Sequence, residues 1–208
     1  MNEDATTQNI KDALFLFLKN AGSDDLVYIY FSGHGAPEPD NPDNMYLITY
    51  DTVPYKVSTT AFPMWDVHTS LERYINANRV VILTDACHSG GVGVEIKTKS
   101  MYNQNLVNRY LKELSKTSAG IIAFTASESG ELSQESSKWG GGHGVFTYFF
   151  LEALKGKADI NSDKIVTIGE AIAYTNEHVR KETKFKQNPA VAGKFDKNMP
   201  MSLIINKK

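Results

Sequence analysis

Cysteine and long hydrophobic runs are nearly absent from this sequence. Only one of its 208 residues is a cysteine, Cys87, so the chain can form neither an internal disulfide nor a cysteine-rich zinc site. No apolar run approaches the roughly 20 residues that a membrane-spanning helix needs. The first residues are polar and acidic, unlike those of a signal peptide. These absences predict a cytoplasmic protein with no membrane partner, and they leave the single thiol to be explained.

A strong excess of either charge is also lacking. The chain has 22 Lys and Arg against 24 Asp and Glu, a net charge of −2, and its basic residues are scattered. A nucleic-acid partner is therefore not expected. Hydrophobic residues make up 41% of the sequence, enough for one buried core in a chain of this length, and no stretch has the composition of a linker. We predict a single domain over residues 1–208.

Apolar runs of strand length alternate with stretches that have helical spacing. The strands are expected at residues 26–31, 79–84 and 120–127, with a minor strand in the Pro- and Asn-rich loop 36–63 and a last one at 201–206. Helices are expected at residues 8–20, 65–77, 105–116, 145–155 and 169–181. Buried strands that alternate with helices predict an α/β layered sandwich, with a mainly parallel sheet flanked by helices.

Two glycine-containing motifs follow two of these strands. GHG places His34 after the first strand, and DACHSG places Cys87 after the second. In such sheets ligands bind beyond the carboxyl ends of the strands, and neighbouring strands lie roughly 5 Å apart. A histidine at that distance can take the proton of a thiol, and the N–H groups of Gly35 and Cys87 could donate to an oxyanion. The pair predicts acyl transfer.

The alternative for each residue alone is structural. A lone cysteine at a strand end is more often a small buried apolar side chain, and a lone histidine there is more often part of the packing. What favours chemistry is the combination, because His34 and Cys87 are both flanked by small residues at the same end of two consecutive buried strands.

The two motifs together resemble those of a known family. YFSGHG, followed about 50 residues later by DACHSG, resembles the histidine and cysteine motifs of the caspase-like cysteine peptidases, in particular metacaspases and their bacterial relatives. TASESGELSQES and HGVFTYFFLEALKGKAD resemble the small-subunit half of bacterial members. The resemblance implies His34 as base, Cys87 as nucleophile and the Gly35 and Cys87 amides as oxyanion hole. It also implies a large-subunit-like part over about residues 1–100 and a small-subunit-like part over about 118–208.

The residue two positions before the cysteine departs from the caspase pattern. Caspases have Gln there, whereas this chain has Asp85. In metacaspases and paracaspases an acidic residue at this place lines a pocket for Arg or Lys, and a carboxylate would repel the aspartate that caspases prefer. The resemblance thus implies an endopeptidase that cleaves after Arg or Lys. Alternatively, Asp85 caps a turn or holds a backbone amide. Glu128 and Glu131 follow the third strand and are candidates for a second acid of the pocket, against the alternative of solvated loop positions.

The beginning of the chain also departs from the family. Members of the family start with a strand and a helix before the segment that resembles NEDATTQNIKDAL, and that strand lies beside the one ending at the histidine. Here this first strand is apparently missing. We therefore expect an exposed strand edge and consider a further chain segment, from this protein or another polypeptide, as a partner that supplies the strand.

A third group of residues has the spacing of a calcium loop. Asp159, Asn161, Asp163 and Glu170 fall on its positions 1, 3, 5 and 12, but position 6 holds Lys164 where glycine is usual. The alternative is a turn followed by a short extended piece. Calcium activation is common among metacaspases, so the resemblance implies calcium as an activator, while the chemistry itself needs no cofactor.

The polar stretch between the second and third buried strands contains Lys97 and Lys99, ahead of the expected helix. In relatives this connection is often cut by the enzyme itself, and a flexible segment enters a substrate groove more readily than a packed helix. We predict self-cleavage after one of these lysines.

Two competing functions are a catalytically silent caspase-like regulatory or binding module, and a different cysteine hydrolase on a flavodoxin-like sheet. The intact His34 and Cys87 argue against the first and Asp85 against the second.

Overall fold

A six-stranded mixed sheet forms the centre of the protein. The computed structural model describes residues 2–38, 40–41, 43–87, 106–116, 119–128 and 131–205. The strands are β1 (Leu26–Pro37), β2 (Met45–Ile48), β3 (Phe62–Pro63), β4 (Arg79–Cys87), β5 (Ile121–Thr125), β6 (Ile165–Thr167), β7 (Ala190–Ala192) and β8 (Pro200–Leu203). The sheet order is β3-β2-β1-β4-β5-β7. β1, β4 and β5 are parallel, as expected, whereas β2, β3 and β7 join antiparallel at the two sides.

Helices cover both faces of this sheet. They are α1 (Thr7–Asp12), α2 (Val57–Thr60), α3 (Trp65–Arg73), α4 (Leu106–Leu114), α5 (Val145–Glu152) and α6 (Ile168–Glu182). α1 continues through a π turn and a 3-10 turn to Asn20, so the helix expected at residues 8–20 is present. α6 begins with a capping box, in which Thr167 and Glu170 each bond the other's backbone N–H.

β4 from Val80 to Leu83 and β5 from Ile121 to Phe124 are apolar because both of their faces are buried. Val80 and Ile82 of β4 pack into one core with α1, α3 and α4, while Val81 and Leu83 pack into the other with α5 and α6. Successive side chains of a strand point to opposite faces, so a strand covered on both sides has no polar alternation. The α/β layered fold predicted from the sequence is confirmed.

β1 differs from its predicted extent. It continues six residues past Phe31 to Pro37, because its last four residues, His34 to Pro37, pair with β2. His34 therefore lies inside a strand, not after one. From Leu26 to Gly33, β1 pairs with β4 alone among the described strands. This is the exposed edge expected from the sequence.

A second, two-stranded sheet lies apart from the first. It pairs β6 with β8, so the short extended piece after residue 164 and the strand near the end of the chain are both observed, but they join each other and not the central sheet. Within the ranges described above, no helix combines the length and the apolar character needed to cross a membrane.

Candidate active site

The β1–β4 register places the two sequence motifs at the same height. His34 pairs with Cys87 and Ser32 pairs with Asp85 across the two parallel strands. Backbones of adjacent strands lie about 4.8 Å apart. His34 is partly buried, and Cys87 is the last residue of β4. Two residues separated by 53 positions (87 − 34) are thus neighbours in the sheet, as the motif spacing led us to expect.

Gly35 lies where β1 passes close under α4. A Cβ atom added at this position would overlap Cγ2 of Val107, so a larger residue would force the helix away from the strand. This packing accounts for a glycine directly after His34. The assignment of the Gly35 and Cys87 amides to an oxyanion hole stays a prediction.

Asp85 is a buried acid bound to the start of α5. Its side chain is only 2% exposed. Thr147 donates both its hydroxyl, at 2.6 Å, and its backbone N–H, at 3.3 Å, to Oδ2. A Cβ at Gly144 would overlap the carboxylate, so α5 packs directly against it. Asp85 does hold a backbone amide, as the alternative interpretation proposed, but with only one of its two oxygens.

The other oxygen of Asp85, Oδ1, has no hydrogen bond of ordinary geometry to any described residue. Burial is the largest influence on this carboxyl and raises its pKa; the hydrogen bonds from Thr147 lower it, the negative charge of Glu135 raises it, and the nearby Ser133 hydroxyl lowers it. The net result is a raised pKa, because desolvation penalises the charged form. A cation placed against Oδ1 would relieve both the desolvation and the missing hydrogen bond.

The two other acids considered for this pocket are bound elsewhere. Glu128 is half exposed and forms an ion pair with Lys112 of α4. Glu131 accepts hydrogen bonds from the backbone N–H of Asn188, at 2.6 Å, and from its side-chain amide. The substrate-binding role of Glu128 stays a prediction, and its carboxylate would have to leave Lys112 to take part.

Comparison with known proteins agrees with the fold. The family model for the Caspase domain matches residues 1–200. The chain belongs to the caspase domain family. Metacaspase-1 of Candida albicans is 30% identical over 145 residues, which cover 65% of this chain and 32% of that protein. The chain spans 23–45% of the length of the curated metacaspases it matches.

Two solved structures resemble this caspase domain in fold. A Geobacter sulfurreducens protein superposes with a TM-score of 0.62 at 20% identity, over 99% of this chain and 81% of the other. Caspase-1 from Spodoptera frugiperda superposes with a TM-score of 0.56 at 11% identity, over 98% of this chain and 73% of that one. At these identities the likeness establishes the architecture alone.

Two residues linked to Asp85 in this caspase domain, Tyr30 and Thr147, and the buried Gln187 were not predicted from the sequence. Tyr30 of β1 shares a hydrogen bond of 2.9 Å with the Thr147 hydroxyl, which itself donates to Asp85. Tyr30, Thr147 and Asp85 are thus linked by a continuous series of hydrogen bonds. Fully buried Gln187 accepts from the N–H of Gln134 at 2.8 Å and donates to the Ala126 carbonyl at 2.9 Å. A lone tyrosine, threonine or glutamine carries no sequence signal of such a role.

The predicted calcium loop is a self-contained turn. The N–H of Asp163 bonds side-chain oxygens of Asp159, at 3.2 Å, and Asn161, at 2.9 Å. Glu170 instead bonds the N–H of Thr167, at 2.9 Å, to cap α6. The four predicted ligands are therefore occupied within their own turns, and among the described residues no three of His, Cys, Asp or Glu are grouped to hold a metal ion. The structure gives no support to calcium binding here.

Lys164 explains how this turn forms without glycine. Its φ is 70°, in the left-handed region that glycine favours, so the lysine accepts the strained conformation that the turn requires. The predicted cleavage sites Lys97 and Lys99 lie outside the described residues, and self-cleavage stays a prediction.

Proposed function

We propose that this caspase domain is a cysteine endopeptidase that cleaves proteins after Arg or Lys. The observation that carries the proposal is Asp85, a buried carboxylate with a raised pKa and one oxygen without a hydrogen bond, two residues before Cys87. A fold stabilised without a ligand would gain nothing from an acid in this state, since a buried unpaired carboxylate is costly. A basic side chain of a substrate would supply the missing partner.

The chemistry requires only His34, Cys87, a water molecule and backbone amides. His34 takes the proton of the Cys87 thiol, and the thiolate adds to the carbonyl carbon of the scissile bond. The N–H groups of Gly35 and Cys87 donate to the oxyanion. When the C–N bond breaks, the imidazolium of His34 protonates the leaving amine. A water then attacks the thioester and gives His34 its proton; collapse of this second intermediate releases the carboxylic acid product and the thiolate, which regains a proton through His34.

Asp85 would select the residue before the scissile bond. A guanidinium can give two parallel hydrogen bonds to a carboxylate and an ammonium can give one, whereas an aspartate would be repelled. Because Asp85 is only 2% exposed, a substrate must displace part of the loop that carries Ser133 and Glu135. Binding of the correct side chain would therefore open its own pocket, at the expense of some binding energy.

Cleavage of fluorogenic peptides tests the proposal. Peptides that end in Arg, Lys or Asp before the fluorophore would be incubated with the protein, with and without calcium. We expect turnover of the Arg and Lys peptides and none of the Asp peptide. Cys87→Ala and His34→Ala should each lower kcat/KM by about a thousandfold or more without loss of folding. His68→Ala, which removes a partly exposed histidine paired with Glu72, is the matched control.

Two outcomes would contradict the proposal. Turnover that survives in folded Cys87→Ala would remove the nucleophile assignment. A wild-type protein that is folded but cleaves none of the peptides under either condition would favour the silent regulatory module.

Thiol alkylation gives an independent measurement of the catalytic pair. The chain has one cysteine, so iodoacetamide incorporation reports Cys87 alone. If His34 raises the thiolate fraction, alkylation at pH 6–7 should be faster than that of a free thiol with its pKa of about 8.5, and His34→Ala should slow it. A slower rate than that of a free thiol would indicate a buried structural cysteine.

Self-cleavage is tested by intact-mass analysis. After incubation with calcium, the wild-type protein should yield fragments that end at Lys97 or Lys99, and Cys87→Ala should stay intact. Equal fragmentation of both proteins would point to a contaminating protease.

A further inference from the structure

A fully buried glutamine, Gln187, connects two segments that are distant from it in the sequence. It lies in the segment between α6 and β7. Its Nε2 donates to the carbonyl of Ala126 at 2.9 Å, and its Oε1 accepts from the N–H of Gln134 at 2.8 Å. A buried amide is costly unless it is hydrogen-bonded, so these two bonds hold Gln187 and both of its partners in one arrangement.

On one side, this glutamine is tied to the strand that carries Asp85. Ala126 follows β5, and its N–H donates to the carbonyl of Thr84 at 2.8 Å. Thr84 is the residue directly before Asp85 in β4. The backbone of Ala126 is therefore bonded to β4 through its N–H and to Gln187 through its carbonyl. Because β4 lies between two buried cores, this side is rigid.

On the other side, Gln187 is tied to the start of α5. Its partner Gln134 accepts, at the carbonyl, a hydrogen bond of 2.9 Å from the N–H of Val145. Val145 is the first residue of α5, and Thr147 in the same turn donates to Asp85. A closed series of hydrogen bonds therefore runs from β4 through the amide of Gln187 to α5, and from α5 back to Asp85.

Gln134 also lies between two residues that influence Asp85. Burial has the largest effect on the Asp85 carboxyl and raises its pKa; the negative charge of Glu135 raises the pKa further, and the Ser133 hydroxyl lowers it. Both residues are therefore near the carboxylate. They belong to residues 131–136, which we call the pocket wall. Gln187 thus holds the pocket wall at its middle, between the two residues that border Asp85.

We propose that Gln187 is a positioning residue of the Asp85 pocket, a role that rests on the proposed cleavage after Arg or Lys. Gln187 holds the pocket wall and, through Gln134, the start of α5, whose Thr147 orients the carboxylate. A guanidinium needs a fixed carboxylate plane to give two parallel hydrogen bonds, whereas an ammonium gives one and tolerates a displaced partner. Loss of this anchor should therefore weaken recognition of Arg more than recognition of Lys.

Gln187→Met tests the role, because methionine fills a similar volume but forms neither hydrogen bond. Peptides that end in Arg or Lys before the fluorophore would be cleaved by one preparation of the variant. We expect the KM for the Arg peptide to rise roughly tenfold, and the ratio of kcat/KM for Arg to that for Lys to fall about threefold or more. Partial unfolding cannot change this ratio, since the same folded fraction cleaves both peptides.

Two further variants separate positioning from stability. Val67→Ala truncates a fully buried side chain of α3, which packs on the other face of the sheet. It should lower the Tm but change the Arg-to-Lys ratio by less than about twofold. Gln187→Asn keeps an amide that is one methylene too short to reach both partners. It should lower the ratio in the same direction as Gln187→Met, and it carries the test if Gln187→Met does not fold.

Amide hydrogen exchange tests the anchor itself, without reference to peptidase activity. In Gln187→Met the N–H of Gln134 loses its acceptor and should exchange roughly tenfold faster than in Val67→Ala, whereas the N–H of Ala126 stays bonded to β4 and protected. Unchanged exchange at Gln134 would overturn the role of Gln187, and so would faster exchange with an unchanged Arg-to-Lys ratio. Either result would leave cleavage after Arg intact. A wild-type protein that cleaves neither peptide would overturn the proposed function and this role together.

Discussion

Asp85 and Glu131 are both acids close to the ends of the central strands, but their surroundings differ. Both carboxylate oxygens of Glu131 take donors from Asn188, and the side chain ties the loop after β5 to the segment after α6. Asp85 is more deeply buried, yet its Oδ1 has no hydrogen bond to any residue that the structure describes. The first arrangement stabilises the fold, whereas the second leaves a binding capacity unused. Burial of an acid therefore does not identify a functional residue. Whether each carboxylate oxygen has a hydrogen-bond donor is more informative.

The acids of the turn before α6 resemble Glu131, because their carboxylate oxygens also accept hydrogen bonds that stabilise the fold. Asp159 and Asp163 bond backbone N–H groups of their own turn, and Glu170 completes a capping box. Their spacing in the sequence resembles a metal site, but their oxygens already have partners. Substitutions at the two kinds of acid should therefore have opposite effects on activity and on stability.

Among substitutions of these acids, the largest effect is expected from Asp85→Asn. Loss of the charge removes the partner for a basic substrate residue, at a cost of about 2 kcal/mol or more, which lowers kcat/KM for an Arg peptide roughly thirtyfold. Alkylation of Cys87 should change little, because the nucleophile is untouched. Steady-state kinetics and alkylation rates would be measured on the same preparation. Unchanged cleavage after Arg would separate Asp85 from substrate recognition.

The same substitution should not destabilise the protein at neutral pH. Burial raises the pKa of Asp85 in the folded state above its unfolded value. Between the unfolded and the folded pKa, the folded state binds more protons than the unfolded state, so the free energy of unfolding falls as pH rises through this window. Above the folded pKa, the ionised carboxyl of Asp85 destabilises the folded state. Thermal unfolding across pH should show a Tm for Asp85→Asn equal to or above that of the wild type at pH 7, and a smaller loss of stability as pH rises. A clear decrease in Tm would mean that the charge stabilises the fold.

Glu131→Gln should show the opposite pattern. The substitution weakens both hydrogen bonds from Asn188 to the side chain and places the new amide N–H₂ against one of the Asn188 N–H donors. We therefore expect a loss of about 1–3 kcal/mol in the free energy of unfolding. Urea denaturation would measure it. Glu128→Gln, which breaks a half-exposed ion pair with Lys112, is the control and should cost no more than about 1 kcal/mol. Equal losses for the two variants would contradict the distinction.

A smaller effect is expected at Glu170. Glu170→Ala removes half of the capping box of α6 and should lower stability by about 0.5–2 kcal/mol while kcat/KM stays within twofold. Glu177→Ala, on an exposed turn of the same helix, serves as the comparison. A loss of activity out of proportion to the loss of stability would indicate a role beyond capping.

The smallest effect is expected from calcium at this turn. Because the oxygens of Asp163 are bonded within the turn, Asp163→Asn should leave any calcium-dependent change in Tm or activity as it is in the wild type. Calorimetric titration of both proteins would check this. A calcium response that disappears in Asp163→Asn would restore the metal site that the sequence spacing suggested.

The sequence could predict the features that depend on neighbouring residues alone, such as the apolar run of a buried strand and the position of its end. The run VVIL is apolar throughout because both faces of β4 are covered. His34 and Cys87 could be placed together because parallel strands end at a common edge. The surroundings of Asp85 were not accessible in this way. Thr147 is 62 positions from Asp85 in the chain, so only tertiary folding brings them together.

The extent of β1 was mispredicted for the same reason. Gly33 and Gly35 suggested the end of a strand, but β2 pairs with the residues beyond them and keeps the chain extended. Strand pairing from a distant segment overrides a local turn signal.

The hydrogen-bonded chain from Tyr30 through Thr147 to Asp85 has a thermodynamic consequence. Tyr30 is partly exposed on β1, and Asp85 is buried at the other end of this series of hydrogen bonds. A ligand that repositions Tyr30 would alter the affinity of Asp85 for a cation, and linkage requires that the cation alter the affinity for that ligand by the same factor. A ligand that binds at Tyr30 and a substrate that binds at Asp85 would then be allosterically coupled. Whether each strengthens or weakens binding of the other could be measured from either binding curve.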